Sequence, residues 1–133
     1  MSADNVASLA RGYEHFRATG DFQDELFDPE FVWDMSTFRG WPEAKTYAGV
    51  EGAREFMANW VDAWDDWELE VEALHDAGDS VVAIIRQRGR AKSTGLPVDM
   101  SLAQVWTFRE GKQIRMRAYD DPAEALRANG LEP

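Results

Sequence analysis

The hydrophobic period of the chain changes from helical to strand-like near residue 67, and this change constrains the fold most. Before it, apolar residues such as Val6, Leu9 and Tyr13 recur three and four positions apart, which predicts amphipathic helices. From Trp67 onward apolar residues alternate with charged ones, beginning with three glutamates, which predicts strands with one solvated face. Helices gathered early and an antiparallel sheet late are typical of an α+β domain.

The predicted elements follow one another without a repeat or a linker, so we expect a single domain over residues 1–133. Periodicity, caps and turn signals predict a helix from about Asp4 to Gly20, a short helix from Asp21 through Phe27, a strand over 31–35, a helix over 51–65, strands over 67–73, 81–90, 98–109 and 113–119, and a short helix opening at Asp121. Residues 37–49 contain Gly40, Pro42 and Gly49, which predict a loop with a short strand near Tyr47.

Composition and charge exclude several classes of protein. The 133 residues include 14 Lys and Arg against 25 Asp and Glu, a net charge of −11, which disfavours binding to nucleic acid or to an anionic membrane surface. A hydrophobic content of 44% with six Trp excludes a disordered chain. Without cysteine there is no disulfide or thiolate nucleophile. No signal peptide or membrane span is evident, so we expect a cytoplasmic protein.

Several short segments carry a resemblance to a known superfamily. They are Tyr13 followed by Gly20-Asp21, the stretch 28–31 (DPEF), the stretch 47–56 (YAGVEGAREF), the stretch 105–112 (VWTFREGK) and the stretch 117–121 (RAYDD). In this order the chain resembles the nuclear transport factor 2-like superfamily, in particular its SnoaL-like and ketosteroid isomerase-like enzymes. The resemblance implies a curved, mainly antiparallel sheet wrapped around N-terminal helices, with a conical pocket. Isomerases, cyclases, hydrolases and binding modules share this fold, so the fold alone does not assign an activity.

Gln104 is a polar residue on the apolar face of the predicted strand 98–109. It shares that face with Met100, Leu102, Trp106 and Phe108, so its amide is buried and needs hydrogen-bond partners. Either the amide is satisfied by its neighbours, or it donates to a ligand oxygen in a pocket. The resemblance places it where ketosteroid isomerase has a protonated acid that donates to a developing oxyanion, a role that an amide fills more weakly.

Tyr13 and Asp34 are the other two candidates for catalysis that the resemblance suggests. Tyr13 matches the oxyanion-binding tyrosine of the isomerase, although an ordinary half-buried tyrosine fits the pattern equally. Asp34 lies at or next to the position of the family's general base, and burial in an apolar cavity would raise its pKa. Alternation puts Phe31, Trp33 and Met35 on the more apolar face and so argues against an inward Asp34. In a strand covered on both faces, the side that carries Asp34 could still line the pocket.

Arg86 continues a strand face with Val82 and Ile84, which suggests a pocket cation or one half of an ion pair. It would orient Asp34 or a ligand acid, with Asp34 and Asp120 as possible partners, unless it is simply a solvated strand end. Large apolar residues would form either the core or a pocket wall for a greasy ligand. These are Trp60, Trp106, Met57, Met100 and Met116.

Other chemistries find little support in the sequence. Two isolated histidines do not make a metal site, and no phosphate loop or dinucleotide fingerprint is present. The epoxide hydrolases of this fold need carboxylates where the chain has Arg88 and Ala118, so that mechanism is not expected. Met57 stands where the isomerase has a supporting tyrosine, so efficient steroid isomerisation is not expected either. We therefore expect neither a metal nor a cofactor.

Three functional hypotheses remain. The first is a cofactor-independent isomerase or cyclase acting on a small apolar carbonyl compound, with Asp34 as general base, Tyr13 and Gln104 as oxyanion donors, and Arg86 as the orienting cation. The second is a non-catalytic module that binds such a molecule. The third is a dimerisation module, and a homodimer is compatible with all three. Its interface would be the outer sheet face, formed by Ser101, Ala103 and Val105 beside Arg115, Arg117 and Tyr119.

Overall fold

The computed structural model describes residues 2–39 and 46–133. Its elements are α1 (Ser2–Thr19), a 3₁₀ helix (Asp24–Leu26), β1 (Phe27–Asp34), β2 (Thr46–Ala48), α2 (Gly49–Asp62), β3 (Trp64–Ala77), β4 (Ser80–Ala91), β5 (Pro97–Arg109), β6 (Lys112–Tyr119) and α3 (Pro122–Ala128). The short strand expected near Tyr47 is present as β2. Gly40 and Pro42, which suggested the loop before it, lie outside the described residues.

The described strands form one six-stranded sheet in the order β2-β1-β6-β5-β4-β3. Every neighbouring pair is antiparallel except β1 and β6, which are parallel. Register shifts interrupt the pairing of β3 with β4 and of β5 with β6, and such bulges bend the strands. The predicted α+β class with a mainly antiparallel sheet is confirmed.

The two faces of the sheet are covered by different helices. Residues of α1 and α2, including Leu9 and Phe56, pack with the strands in the main core on what we call the inner face. Helix α3 covers a smaller cluster on the outer face through Ala125 and Leu126. Asp121 caps α3 by accepting a hydrogen bond from the Ala123 amide at 3.0 Å, which stabilises the helix start. The helices therefore determine which strand residues are enclosed.

Alternation along β5 correctly predicted which of its residues point inward. Leu102, Trp106 and Phe108 lie in the main core with Gln104 buried beside them. Ala103 and Val105 point to the outer face. Thus the side chain of Gln104 enters the space enclosed by α1 and α2.

Several element ends differ from the prediction, and at two of them strand pairing overrides the local pattern. Trp64 follows Trp60 at helical spacing, but α2 ends at Asp62 and Trp64 pairs with Ala91 of β4. The local pattern extends the short helix through Phe27, yet Phe27 pairs with Gln113 of β6. Pairing to a neighbouring strand outweighs the small difference in intrinsic propensity.

Helix α3 also covers part of the surface suggested for a homodimer. Ala103, Val105 and Tyr119 are all buried in the cluster that contains Leu126. A dimer interface on this face would therefore have to include α3 itself or the strand ends beyond it. No helix in the described ranges is long and apolar enough to cross a membrane.

Candidate functional site

A small cavity, which we call the α1 cavity, lies between α1, the 3₁₀ helix and the inner face of the sheet. The space open to the centre of a water molecule is about 40 Å³, enough for a few waters. All of its described wall residues are uncharged: Leu9, Gly12, Tyr13, Phe16, Phe22, Gln23, Leu26, Phe27, Trp33, Met57, Leu69, Gln104, Trp106 and Gln113.

A second space of about 20 Å³, the α2 cavity, lies between α2 and the same face of the sheet. Its described wall is likewise uncharged, and consists of Trp33, Met35, Phe38, Phe56, Met57, Trp60, Gln87, Leu102, Gln104 and Ala118. Trp33, Met57 and Gln104 belong to both walls. These three side chains therefore separate the two cavities.

Tyr13 and Gln104, predicted as a pair, meet in the α1 cavity. The Tyr13 hydroxyl donates to Gln104 Oε1 at 2.5 Å and accepts from Trp106 Nε1 at 2.9 Å. Burial raises the pKa of the Tyr13 phenol above its usual range, although the hydrogen bond from Trp106 opposes the shift. Tyr13 is therefore a neutral hydroxyl whose proton is directed at Gln104 and not at the empty space.

Gln87 is a polar wall residue that sequence reasoning did not select. Its Oε1 accepts hydrogen bonds from Trp60 Nε1 and Trp67 Nε1, both at 2.7 Å. The signal was available, since Gln87 continues the inward face of Val81 and Ile85 along β4. The arginines of β4 lie on its opposite face and form ion pairs there.

The indole N–H of Trp33 is a hydrogen-bond donor without an acceptor in the described structure. Its side chain is 2% exposed, and in the described structure its Nε1 has no partner. A buried donor without an acceptor costs about 1–3 kcal/mol. Because Trp33 stands between the two cavities, a molecule entering either one would lie beside this indole.

Asp34 lies on the outer face, away from both cavities. Its side chain is about 1% exposed, and it accepts hydrogen bonds from Arg115 at 2.5 Å and Arg117 at 3.2 Å. The Ser36 amide donates to it at 2.8 Å. The general base expected inside a pocket is therefore not positioned there, because Trp33 and Met35 take the inward positions on either side of it.

The electrostatics of Asp34 also differ from those of a buried general base. Burial raises the pKa of its carboxyl, but the hydrogen bonds from Ser36, Arg115 and Arg117 outweigh burial and leave the pKa below its usual range. An ionised carboxylate with a lowered pKa is a poor proton acceptor near neutral pH. Its role in this structure is to neutralise two arginines.

Arg86 does not orient Asp34 and does not line either cavity. It forms a two-pronged ion pair with Asp99, at 2.8 Å from Nε and 2.6 Å from an Nη atom, on the partly exposed outer face. The expected contact with Asp34 is wrong because the two residues belong to β4 and β1, which β5 and β6 separate.

The proposed wall residues divide into two groups. Trp106 lines the α1 cavity, Trp60 lines the α2 cavity and Met57 lines both. Met116 is fully buried in the packed core, and Met100 packs at its edge beside Trp64 and Trp67, so neither lines these cavities as described.

An open groove of about 620 Å³, the entrance groove, leads from the surface toward the α1 cavity. It shares Phe16, Phe22 and Met57 with the cavity wall. The remaining described residues of its wall are Arg17, Gly20, Asp21, Arg54, Ala58, Val61, Asp62 and Trp67. The side chains of Phe16, Phe22 and Met57 therefore lie between this groove and the α1 cavity.

Arg54 holds one side of the entrance groove. From α2 it donates to the Asp21 carboxylate at 2.7 Å and to the Phe22 carbonyl at 3.2 Å. It also bonds the carboxylates of Asp24 and Glu51. Because Phe22 lies in the cavity wall, these bonds attach the wall segment 21–26 to α2.

Replacing Arg54 with glutamine should loosen the segment 21–26. Loss of several charged hydrogen bonds should reduce the local opening free energy by about 1–2 kcal/mol, which corresponds to roughly 5–30-fold faster amide exchange. Hydrogen–deuterium exchange on a peptide covering 21–26 measures this. Arg109→Gln is the matched control, because the partners of Arg109 among the described residues are Asp28 and Glu30, which lie outside the wall. An equal effect of both changes would contradict this role of Arg54.

The described residues contain no group of three His, Asp or Glu side chains placed to hold a metal ion. The hydrogen-bonding groups of the two cavities are instead amides, indoles and a phenol. Such a wall suits recognition of an uncharged molecule.

Comparisons with solved structures agree with this architecture. An NTF2-like protein from Burkholderia thailandensis E264 is 25% identical, with 97% of this chain and 98% of that chain covered and a TM-score of 0.74. A candidate SnoaL-like polyketide cyclase from Jannaschia sp. CCS1 is 24% identical, with 98% of this chain and 94% of that chain covered and a TM-score of 0.73. TerC, co-crystallized with polyporic acid, is 21% identical, with 96% of this chain and 98% of that chain covered and a TM-score of 0.71.

These likenesses show a nuclear transport factor 2-like fold, as the sequence motifs predicted. No curated protein is similar enough in sequence to match the chain. Residues 8–116 match the SnoaL-like domain family over most of the chain. Together with the six-stranded sheet and its helices, this match means that the chain belongs to the SnoaL-like domain family.

Proposed function

We propose that this protein binds a small, uncharged, mainly apolar molecule that carries a carbonyl oxygen, in the space formed by the α1 and α2 cavities. The observation that carries the proposal is the indole N–H of Trp33, a buried donor without a partner in the described structure. A carbonyl oxygen beside it would remove the cost of the unmade hydrogen bond.

The character of the wall supports an uncharged ligand. All described wall residues of both cavities are neutral, and most are apolar. A bound ion there would lose its hydration without gaining a counter-charge, which costs more than its contacts return. A neutral ligand with few polar atoms avoids that penalty.

Binding requires Met57 to move. The two cavities are too small for a ring compound, since ligand pockets usually measure about 300–1,000 Å³. Met57 lies in the walls of both cavities and of the entrance groove. Its unbranched, flexible side chain repacks at low cost, and its displacement would join the three spaces into one.

The geometry favours binding over proton abstraction by Asp34. That carboxylate is on the outer face and is paired with two arginines. The described cavity walls hold neither a carboxylate nor an imidazole. Of the functions that the sequence suggested, the non-catalytic binding module therefore has more support than an isomerase or cyclase.

Cyclohexanone and methylenecyclohexane test this proposal, because they have nearly the same shape and only the ketone accepts a hydrogen bond. We expect the ketone to bind about 3–10-fold more tightly, the value of one added hydrogen bond. Trp33→Phe should remove most of this preference. Ligand-observed NMR gives both dissociation constants without relying on tryptophan fluorescence.

A pair of methionine variants provides the control. Met57→Ala should strengthen binding of both compounds, because it removes the side chain that lies between the two cavities and the entrance groove. Met100→Ala removes the same volume outside these walls and should leave binding unchanged. If neither compound binds saturably to the wild type or to Met57→Ala, the proposed function is wrong.

A further inference from the structure

We propose that the ligand is a cyclic dicarbonyl with two recognised oxygens. The side-chain N–H groups of Gln104 and Trp33 donate to the first oxygen, and the side-chain amide of Gln87 donates to the second. This inference rests on the proposed function and specifies its ligand class. It follows from the direction in which two buried amides are held.

The hydrogen bonds of Gln87 determine which end of its amide faces the cavity. Its Oε1 receives the N–H groups of Trp60 and Trp67, each at 2.7 Å. Turning the amide over would place its NH₂ group against two other donors. The oxygen is therefore held on the side of the tryptophans, and the NH₂ group points away from them.

Gln104 is held in the same way by a different aromatic residue. Its Oε1 receives the Tyr13 hydroxyl at 2.5 Å, and that hydroxyl already accepts from Trp106. The phenol proton is thereby directed at Gln104, so this amide also presents its NH₂ group on the side away from its partner.

Both glutamines line the α2 cavity and are more than nine-tenths buried, at 6% exposed for Gln87 and 7% for Gln104. Among the hydrogen bonds of the described residues, none takes a proton from either amide nitrogen, while the carbonyl end of each has a partner. Trp33 adds a third donor to the same wall. The polar groups left over at this cavity are thus donors, and they call for acceptor oxygens.

The strand register separates the backbones of the two glutamines, whose side chains line the same cavity from different ends. Gln87 pairs with Met100, and Gln104 pairs with Ala83, so the two positions are four residues apart along neighbouring strands. At about 3.3 Å per residue this is about 13 Å between their backbones. A single carbonyl oxygen has two lone pairs and so leaves one of the three donors unpaired, whereas a second oxygen across a ring pairs with it.

Cyclohexane-1,4-dione and cyclohexanone distinguish one recognised oxygen from two. If Gln87 donates to the second oxygen, the wild type should bind the dione about 3–10-fold more tightly than the ketone. If Gln87 plays no part, the dione should bind more weakly, because its second oxygen would be buried without a partner. The two cases therefore predict opposite orders of affinity for the dione and the ketone.

Gln87→Met removes the amide at nearly constant volume and should make the dione bind more weakly than the ketone. Because this change leaves Trp60 and Trp67 without their shared acceptor, Gln87→Glu is the second variant. It retains an acceptor for both indoles and replaces the NH₂ donor, so the preference for the dione should also disappear at neutral pH. Asn5→Asp makes the same amide-to-carboxylate change at a buried residue outside both described cavity walls, so it is the matched control and should retain the preference.

The outcomes separate this inference from the proposed function. The dicarbonyl assignment is overturned if the wild type shows no preference for the dione, or if the preference survives both Gln87 changes. In either case, ketone binding that depends on Trp33 leaves the proposed function in place. Absence of binding by both compounds in the wild type and in Met57→Ala overturns both. A dione preference lost in either folded Gln87 variant supports the assignment.

Discussion

Replacing Asp34 with asparagine is expected to lower the free energy of unfolding by about 2–3 kcal/mol and to leave ketone binding unchanged. The carboxylate is 1% exposed and neutralises Arg115 and Arg117. An amide of the same size retains part of the hydrogen bonding but removes the charge. Both arginines are more than one-third exposed, so water moderates the loss and keeps it below the largest values known for buried pairs.

The same carboxylate makes stability depend on pH in a defined direction. Its pKa in the folded protein is below the usual range, and in the unfolded chain it is about 3.9. As the pH falls below about 4, the unfolded chain takes up the proton first, so the contribution of Asp34 is complete above that pH and is lost toward the folded pKa. Urea unfolding at several pH values should show a steeper acid loss in the wild type than in Asp34→Asn.

Asp99→Asn is the matched control for this prediction. Asp99 pairs with Arg86 on the same face, but its side chain is 49% exposed, and exposed pairs contribute at most about 1 kcal/mol. If Asp34→Asn were as mild as Asp99→Asn, or if it abolished ligand binding without loss of stability, the assignment of Asp34 to the outer face would be wrong.

Replacing Tyr13 with phenylalanine is the second change with a large expected effect. Its hydroxyl is the donor for Gln104 Oε1 and the acceptor for Trp106 Nε1. Removing it leaves two buried polar atoms without a partner, which should lower the free energy of unfolding by about 2–4 kcal/mol. Thermal or urea unfolding measures this loss directly.

Ligand binding by Tyr13→Phe separates a positioning role from a purely structural one. Without the phenol, the Gln104 amide loses the bond that fixes its orientation, so we expect the preference for cyclohexanone over methylenecyclohexane to decrease several-fold. Tyr119→Phe, buried under α3 on the outer face, should lose stability without changing that preference. Equal loss of preference in both variants would exclude a specific role for Tyr13.

Much of the architecture could be predicted because it depends on local periodicity. The change from helical to alternating spacing separated α1 and α2 from the long strands, and alternation along β5 correctly turned Gln104 inward. The segments 47–56 and 105–112 carried the family resemblance. Element ends were less predictable, as Trp64 and Phe27 show, since pairing with Ala91 and Gln113 decided them.

The candidate site was predictable only in part. Tyr13, Gln104, Trp106, Trp60 and Met57 do line the enclosed spaces. Gln87 was missed although it follows the inward face of β4. Asp34 and Arg86 were placed at the site by resemblance and by charge, whereas the structure gives each of them a partner on the opposite face.

Which side of each element is apolar follows from local sequence, because side-chain direction repeats with the geometry of the local backbone. Which polar groups meet depends on tertiary packing. Tyr13 forms a hydrogen bond with Gln104, 91 positions away in the chain, and Asp34 forms one with Arg115, 81 positions away. Such meetings depend on strand order and register, which arise from packing of the whole sheet and are not encoded in any one segment.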